Sequence, residues 1–128
     1  MSGERHGAAD DPAIDEWVAE VKAQVDLAAT GMILIHHGVV RGTAKTGEQV
    51  AAMRLEVDRG RLDEVLAEAR RWPGVQAVRA WVNEGTLAVG DDIMKVLVAG
   101  DFGERVHAAM QRLVATIKGE VASEIEVR

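Results

Sequence analysis

The chain has 128 residues, 48% of them hydrophobic, and its 15 basic against 21 acidic residues give a formal charge of −6. That length supports one domain with its own hydrophobic core, and the lack of cysteine excludes a disulfide framework, a thiolate metal site and a cysteine nucleophile. The acidic balance argues against nucleic acid as a partner, which needs a basic surface, and one Phe with three Trp makes a poor base-stacking platform.

Residues 1–10 are polar and glycine-containing and read as a flexible tail. They lack the apolar core of a signal peptide, and no apolar run in the chain reaches the roughly 18 residues of a membrane helix. The expected location is therefore the cytoplasm, with no membrane partner. Asp11 before Pro12 fits an N-cap followed by proline at the first helical position. Ile14, Trp17, Val18, Val21 and Val25 then recur at helical spacing, predicting an amphipathic helix to about residue 26.

After a turn over residues 28–31, an apolar run from Met32 continues through His36, His37 and Gly38 to Arg41. A polar, glycine-containing stretch over residues 42–47 and an apolar-alternating run over 49–57 follow, so the two runs read as a β-hairpin joined by a mobile loop. Arg41 stands where the first strand enters that loop. A guanidinium on a rigid scaffold beside flexible backbone is suited to holding a phosphate or carboxylate.

Leu62, Val65, Leu66 and Ala69 form the stripe of a second helix over residues 61–72, which Pro73 and Gly74 stop. A strand is expected over 75–82, a turn over 83–85, and a strand pair over 87–89 and 93–98 about the turn at 90–92. Asp101 and Glu104 stand in capping-box spacing at the start of a last helix. Its buried face is Phe102, Val106, Ala109, Met110, Leu113 and Ile117, and Gly119 fits a left-handed cap at its end. Ile125 and Val127 alternate with acidic residues as a short edge strand. The order α-β-β-α-β-β-α-β predicts a two-layer α+β domain with a largely antiparallel sheet.

His36 and His37 invite a metal hypothesis, but adjacent strand residues point to opposite faces and do not share one ion. No carboxylate–histidine cluster has ligand spacing, so no metal is expected. Met32, Met53, Met94 and Met110 fall at ordinary core positions.

The run GMILIHHGVVR of residues 31–41 resembles the signature G-[AV]-x-x-x-F-x-G-x-V-R of the large subunit of molybdopterin synthase, the MoaE family. Further matches follow in order: Leu55 with Glu56, EARRWP over residues 68–73, Gly85, Thr86 and Leu87 with Gly90 and Asp91, and Lys118. The resemblance covers about residues 31–118. It implies an α/β hammerhead fold in a single domain over residues 11–128, assembled as a homodimer. It also implies a ubiquitin-like, MoaD-type small subunit whose C-terminal Gly-Gly carries a thiocarboxylate. The implied reaction moves sulfur onto cyclic pyranopterin monophosphate to form the dithiolene of molybdopterin, with no cofactor. By the same resemblance Arg41 helps form the anionic substrate pocket, and Lys118 is catalytic where the partner's tail enters. A lysine there stabilises developing negative charge or, if desolvated, serves acid–base steps. His36 stands at a family phenylalanine and reads as a core or interface histidine.

The sequence also departs from the family. Phe102 and Gly103 replace a His-Arg pair, Val82 and Asn83 replace another, and Ile125 stands at a second catalytic lysine. Asp101 adds a carboxylate where a helix N-terminus would favour an anion. Lys45 and Arg105 are the substrate-binding candidates that compensate. Three readings stay open: a sulfur-transferring synthase subunit with a modified pocket, a MoaE-like dimer with lost chemistry that acts as a binding, scaffold or regulatory protein, and an unrelated soluble α+β domain that shares the hairpin by chance.

Overall fold

The computed structural model describes residues 11–128; the tail expected over 1–10 lies outside the described residues. Helix α1 (Ile14–Gln24) is followed by strands β1 (Met32–Val39) and β2 (Ala52–Val57), then helix α2 (Arg59–Ala69). Strands β3 (Val75–Val82), β4 (Gly85–Ala88) and β5 (Asp92–Gly100) lead to helix α3 (Gly103–Thr116), a π-helical turn (Ile117–Val121) and strand β6 (Ala122–Val127). The α+β class and the antiparallel pairing agree with the expectation. Among the described residues no helix is long and apolar enough to cross a membrane.

The strands divide into two three-stranded antiparallel sheets, ordered β1-β5-β3 and β4-β2-β6. None of these pairings joins consecutive strands. The predicted hairpin is therefore absent: β1 pairs with β5, and β2 pairs with β4 and β6. The intervening chain crosses from one sheet to the other and buries Val40, Ala44 and Val50 on the way. Burial of those apolar side chains holds the crossing, where a hairpin would leave them at a solvent-facing turn. The bridge between Thr43 and Gln49 and the bonds Ala44 N to Glu48 O and Val50 N to Gly42 O close a loop of its own. The predicted pairing of residues 87–89 with 93–98 is also absent. The turn at Gly90, with φ +91°, carries the chain from the second sheet back to the first.

Four helix ends differ from expectation for one reason each. The N-cap of α1 is Ala13, without a side-chain cap, because Asp11 is drawn off to Lys95 Nζ at 2.7 Å. Helix α2 starts two residues early because Asp58 accepts a hydrogen bond from Arg61 N at 3.0 Å. The capping box at α3 does not form: Phe102 is the N-cap, and Asp101 accepts from Phe102 N and from Arg105 instead. Gly119 is not a left-handed cap, since the helix widens into the π turn and runs on into β6.

The core follows from the strand registers. Leu34, Val96, Val98 and Met94 project from the first sheet toward Val106, Met110 and Leu113 of α3 and toward Leu62, Val65 and Leu66 of α2. Met53, Leu55 and Leu87 complete this main core from the inner face of the second sheet. The other face of the first sheet, through Leu97, Ala99, Ile33 and Ile35, packs against Val21, Trp17 and Val18 of α1. At Pro73–Gly74 the chain reverses with φ +82° at Gly74, whose carbonyl accepts from Asp101 N.

Asn83, fully buried, joins the end of β3 to the start of β5. Its Nδ2 donates to Asp92 O at 3.0 Å and its Oδ1 accepts from Glu84 N at 2.9 Å. Asn83→Ala leaves two part-buried backbone groups without these bonds, and each costs up to about 1–3 kcal/mol. Urea unfolding should show a lower midpoint with an unchanged slope. A midpoint equal to that of the parent chain would mean the amide bridge carries no stability.

Candidate functional site

A pocket of about 240 Å³ opens between the ends of the two sheets. His36 and Gly38 of β1 and Ile93 and Met94 of β5 form one wall, and Met53, Glu124 and Glu126 of the second sheet form the other. The crossing loop adds Arg41, Thr43 and Lys45, and the π turn adds Lys118. Each contribution follows from local geometry. Even-numbered residues of β1 face the main core, so His36 lies on the side of Leu34 and Val96. The irregularity between Gly38 and Val39 ends that alternation and re-aims the chain into the loop. The π turn buries Ile117 and Val121 and leaves Lys118 outward at the pocket; such turns are frequent at functional sites.

Three of the four predicted site residues meet here: Arg41, Lys45 and Lys118. Arg41 Nε donates to Thr43 Oγ1 at 3.0 Å, which orients the guanidinium. None of the three cations pairs with a carboxylate among the described residues. Unpaired cations around one cleft form an anion-binding arrangement, with Arg41 able to make forked bonds and the lysines acting as point charges.

Arg105 does not join them. It pairs with Asp101 at 3.3 Å and lines a separate groove with Trp72, Pro73 and Arg112. The carboxylate one turn away takes the guanidinium that was expected to compensate in the pocket. Ile125 is also remote: it pairs in register with Arg54 on the outer face of the second sheet and is 55% exposed. Phe102 is exposed at the start of α3, and Gly103 lies against Met32, at the opposite end of β1 from the pocket.

His36 belongs to the pocket, which the reading of it as a core or interface histidine missed. Burial, then Lys118, then His37 lower its pKa below the ordinary imidazole value, so the ring is neutral at neutral pH. The signal was available in strand alternation, which sets His36 on the inner face. His37 takes the opposite face, as expected, and meets Asp92 Oδ1 at 2.7 Å. Glu124 and Glu126 were missed as well; their register opposite Leu55 and Met53 turns them inward. Among the described residues no group of three or more His, Asp or Glu side chains converges to hold a metal ion.

Solved structures of similar fold come from several bacteria. Molybdopterin synthase from Staphylococcus aureus superposes with a TM-score of 0.73 at 16% identity, covering 99% of this chain and 93% of that one. The molybdopterin biosynthesis MoaE protein from Burkholderia ambifaria gives 0.67 at 24% identity, covering 94% and 86%. A complex of subunits 1 and 2 of molybdopterin-converting factor from Helicobacter pylori gives 0.68 at 11% identity, covering 95% and 80%. Among curated proteins, none matches the chain in sequence. The family model of the MoaE protein matches residues 12–120, which spans α1 through the π turn and takes in Arg41, Lys45 and Lys118. The chain belongs to the MoaE protein family.

Proposed function

We propose that this chain acts in molybdenum cofactor biosynthesis as the large subunit of a molybdopterin synthase. It takes sulfur from the C-terminal thiocarboxylate of a ubiquitin-like small subunit and passes it to cyclic pyranopterin monophosphate, working as a cytoplasmic homodimer. The observation that carries this reading is the convergence of Arg41, Lys45 and Lys118, free of carboxylate partners, on one pocket. Family membership and the likeness to a two-subunit complex from Helicobacter pylori support it.

The chemistry asks for such a pocket. A phosphate-bearing substrate and a thiocarboxylate tail are both anions, and two unit charges about 4 Å apart at a protein surface repel by about 4 kcal/mol. Arg41 and Lys45 hold the phosphate, and the Lys118 ammonium stands where the two anions meet and offsets charge that builds as sulfur attacks. Lys118 lies on an irregular turn between α3 and β6, so its backbone is fixed from both sides. His36, its pKa lowered by burial and by Lys118, adds no charge to the pocket at neutral pH.

A second reading is favoured by one specific observation: Glu124 and Glu126 also face this pocket. Carboxylates among the cations weaken its attraction for anions, as expected of a MoaE-like protein kept for binding, scaffolding or regulation.

Reconstitution separates the two. The protein is mixed with thiocarboxylated small subunit and cyclic pyranopterin monophosphate, and product is read as its fluorescent oxidised derivative. The expected outcome is product formation that Lys118→Ala lowers by about 10²–10³-fold, as for loss of a group stabilising transition-state charge. Arg41→Ala should raise KM by about tenfold or more, as for a lost charged hydrogen bond. Absence of product with the small subunit still bound would select the scaffold reading.

The electrostatic link between Lys118 and His36 has its own readout. In an NMR titration the His36 ring should show a midpoint below about 6.5, and Lys118→Ala should move it upward. The rise stays partial, because burial is the larger cause. Since the folded state holds the weaker base, His36 costs stability only as pH falls below the ordinary imidazole value and through the lowered one. His36→Phe should flatten that part of the stability curve. An unchanged His36 midpoint in Lys118→Ala would sink the proposed contact.

A further inference from the structure

The pocket has mixed charge, and its two glutamates are not equivalent. Glu126 Oε1 accepts from Arg128 Nη1 at 2.8 Å, so its charge is already answered. The Glu124 side chain has no hydrogen bond or ion pair among the described residues, although it lines the same cleft as Arg41, Lys45 and Lys118. A site built for a simple anion gains nothing from an unanswered carboxylate in its wall, because that charge repels the ligand. Three unanswered cations and one unanswered carboxylate complement a ligand that is itself divided, anionic at one end and rich in N–H donors at the other.

A pterin phosphate is such a ligand. The pyrimidine edge of its ring presents an amino N–H and an adjacent ring N–H side by side, the same parallel pair of donors by which a guanidinium grips a carboxylate. Met53, Ile93 and Met94 in the pocket walls offer apolar surface to the flat ring, leaving polar groups to set its orientation. We propose that Glu124 is the specificity-determining residue of this pocket, accepting both donors of the pterin edge while Arg41 and Lys45 hold the phosphate. The inference rests on the pterin reading of the site and adds the residue that tells this ring from others.

The test compares three probes by calorimetry: neopterin monophosphate, the lumazine analogue carrying an oxo group in place of the amino group, and ribose 5-phosphate, which has no ring system. The parent chain should prefer the pterin over the lumazine by about tenfold or more, since the analogue turns a carbonyl toward the carboxylate and leaves it unpaired. Glu124→Gln should reduce that preference to within about twofold, since the amide cannot accept both bonds, and should not weaken ribose 5-phosphate binding, since it removes a charge that repels the phosphate. Glu126→Gln should keep the preference. Glu124 sits on an exposed edge strand, so the substitution does not threaten the fold, and circular dichroism verifies this. A preference that survives in Glu124→Gln overturns the inference alone. A parent chain that binds neither ring-bearing probe overturns the pterin reading and this inference with it.

Discussion

Burial of β5 on both faces is the constraint on which the rest of this architecture depends. From Ile93 to Gly100 every residue of the strand is buried, with β1 and β3 paired on either side. One face meets α3 and α2, and the other meets α1. A strand enclosed on four sides tolerates no unpaired charge, yet Lys95 lies within it, only 8% exposed. An uncompensated ammonium there would cost several kcal/mol. It is answered by Asp11 at 2.7 Å, the carbonyl of Pro12 at 3.0 Å and Asp92 at 3.6 Å, with the Trp81 ring 5.6 Å away. The charge therefore fixes the chain ahead of α1, and with it the seating of that helix on the sheet.

None of the described strand pairings joins neighbours in sequence, and successive strands lie alternately in the two sheets, so the chain passes between the sheets at every step from one strand to the next. Such pairings bear loop-closure entropy before they gain contacts. The crossings are not passive connectors. The one after β1 carries Arg41, Thr43 and Lys45 to the pocket, and the one after α3 carries Lys118. The site lies where the two sheets come together, and the crossing segments bring its three cations there.

This geometry explains what was legible in the residues and what was not. The strand over residues 75–82 and the apolar stripes of α2 and α3 were readable, since each is local and periodic. Arg41 and Lys118 were readable through the family's motif. Pairing was not: two apolar runs flanking a polar loop look like a hairpin whether they share a sheet or part from each other. Asp11 before Pro12 has the form of a helix cap, and nothing near it in the sequence reveals a buried lysine 84 residues away. The outward face of Ile125 was hidden for a related reason. Alternation gives two faces to β6, and only its register with Met53 and Leu55 decides that Glu124 and Glu126 turn inward.

That register changes the weight of the departures from the family's pattern. Ile125 lies on the outer face of the second sheet, and Phe102 and Gly103 lie toward the far end of β1, so within one chain none of the three subtracts charge from this pocket. What distinguishes the pocket is what faces it from β6, together with an imidazole kept neutral on β1. Electrostatic attraction in a cleft depends on the signed sum of nearby charges and falls with screening over about 10 Å. Three cations set against two carboxylates, one of them occupied by Arg128, leave a weak net attraction with strong local direction. A pocket of that kind selects a ligand by the placement of its charges and donors more than by their total. The side chains along β6, more than the loss of lysine or arginine elsewhere, set the charge pattern of this pocket.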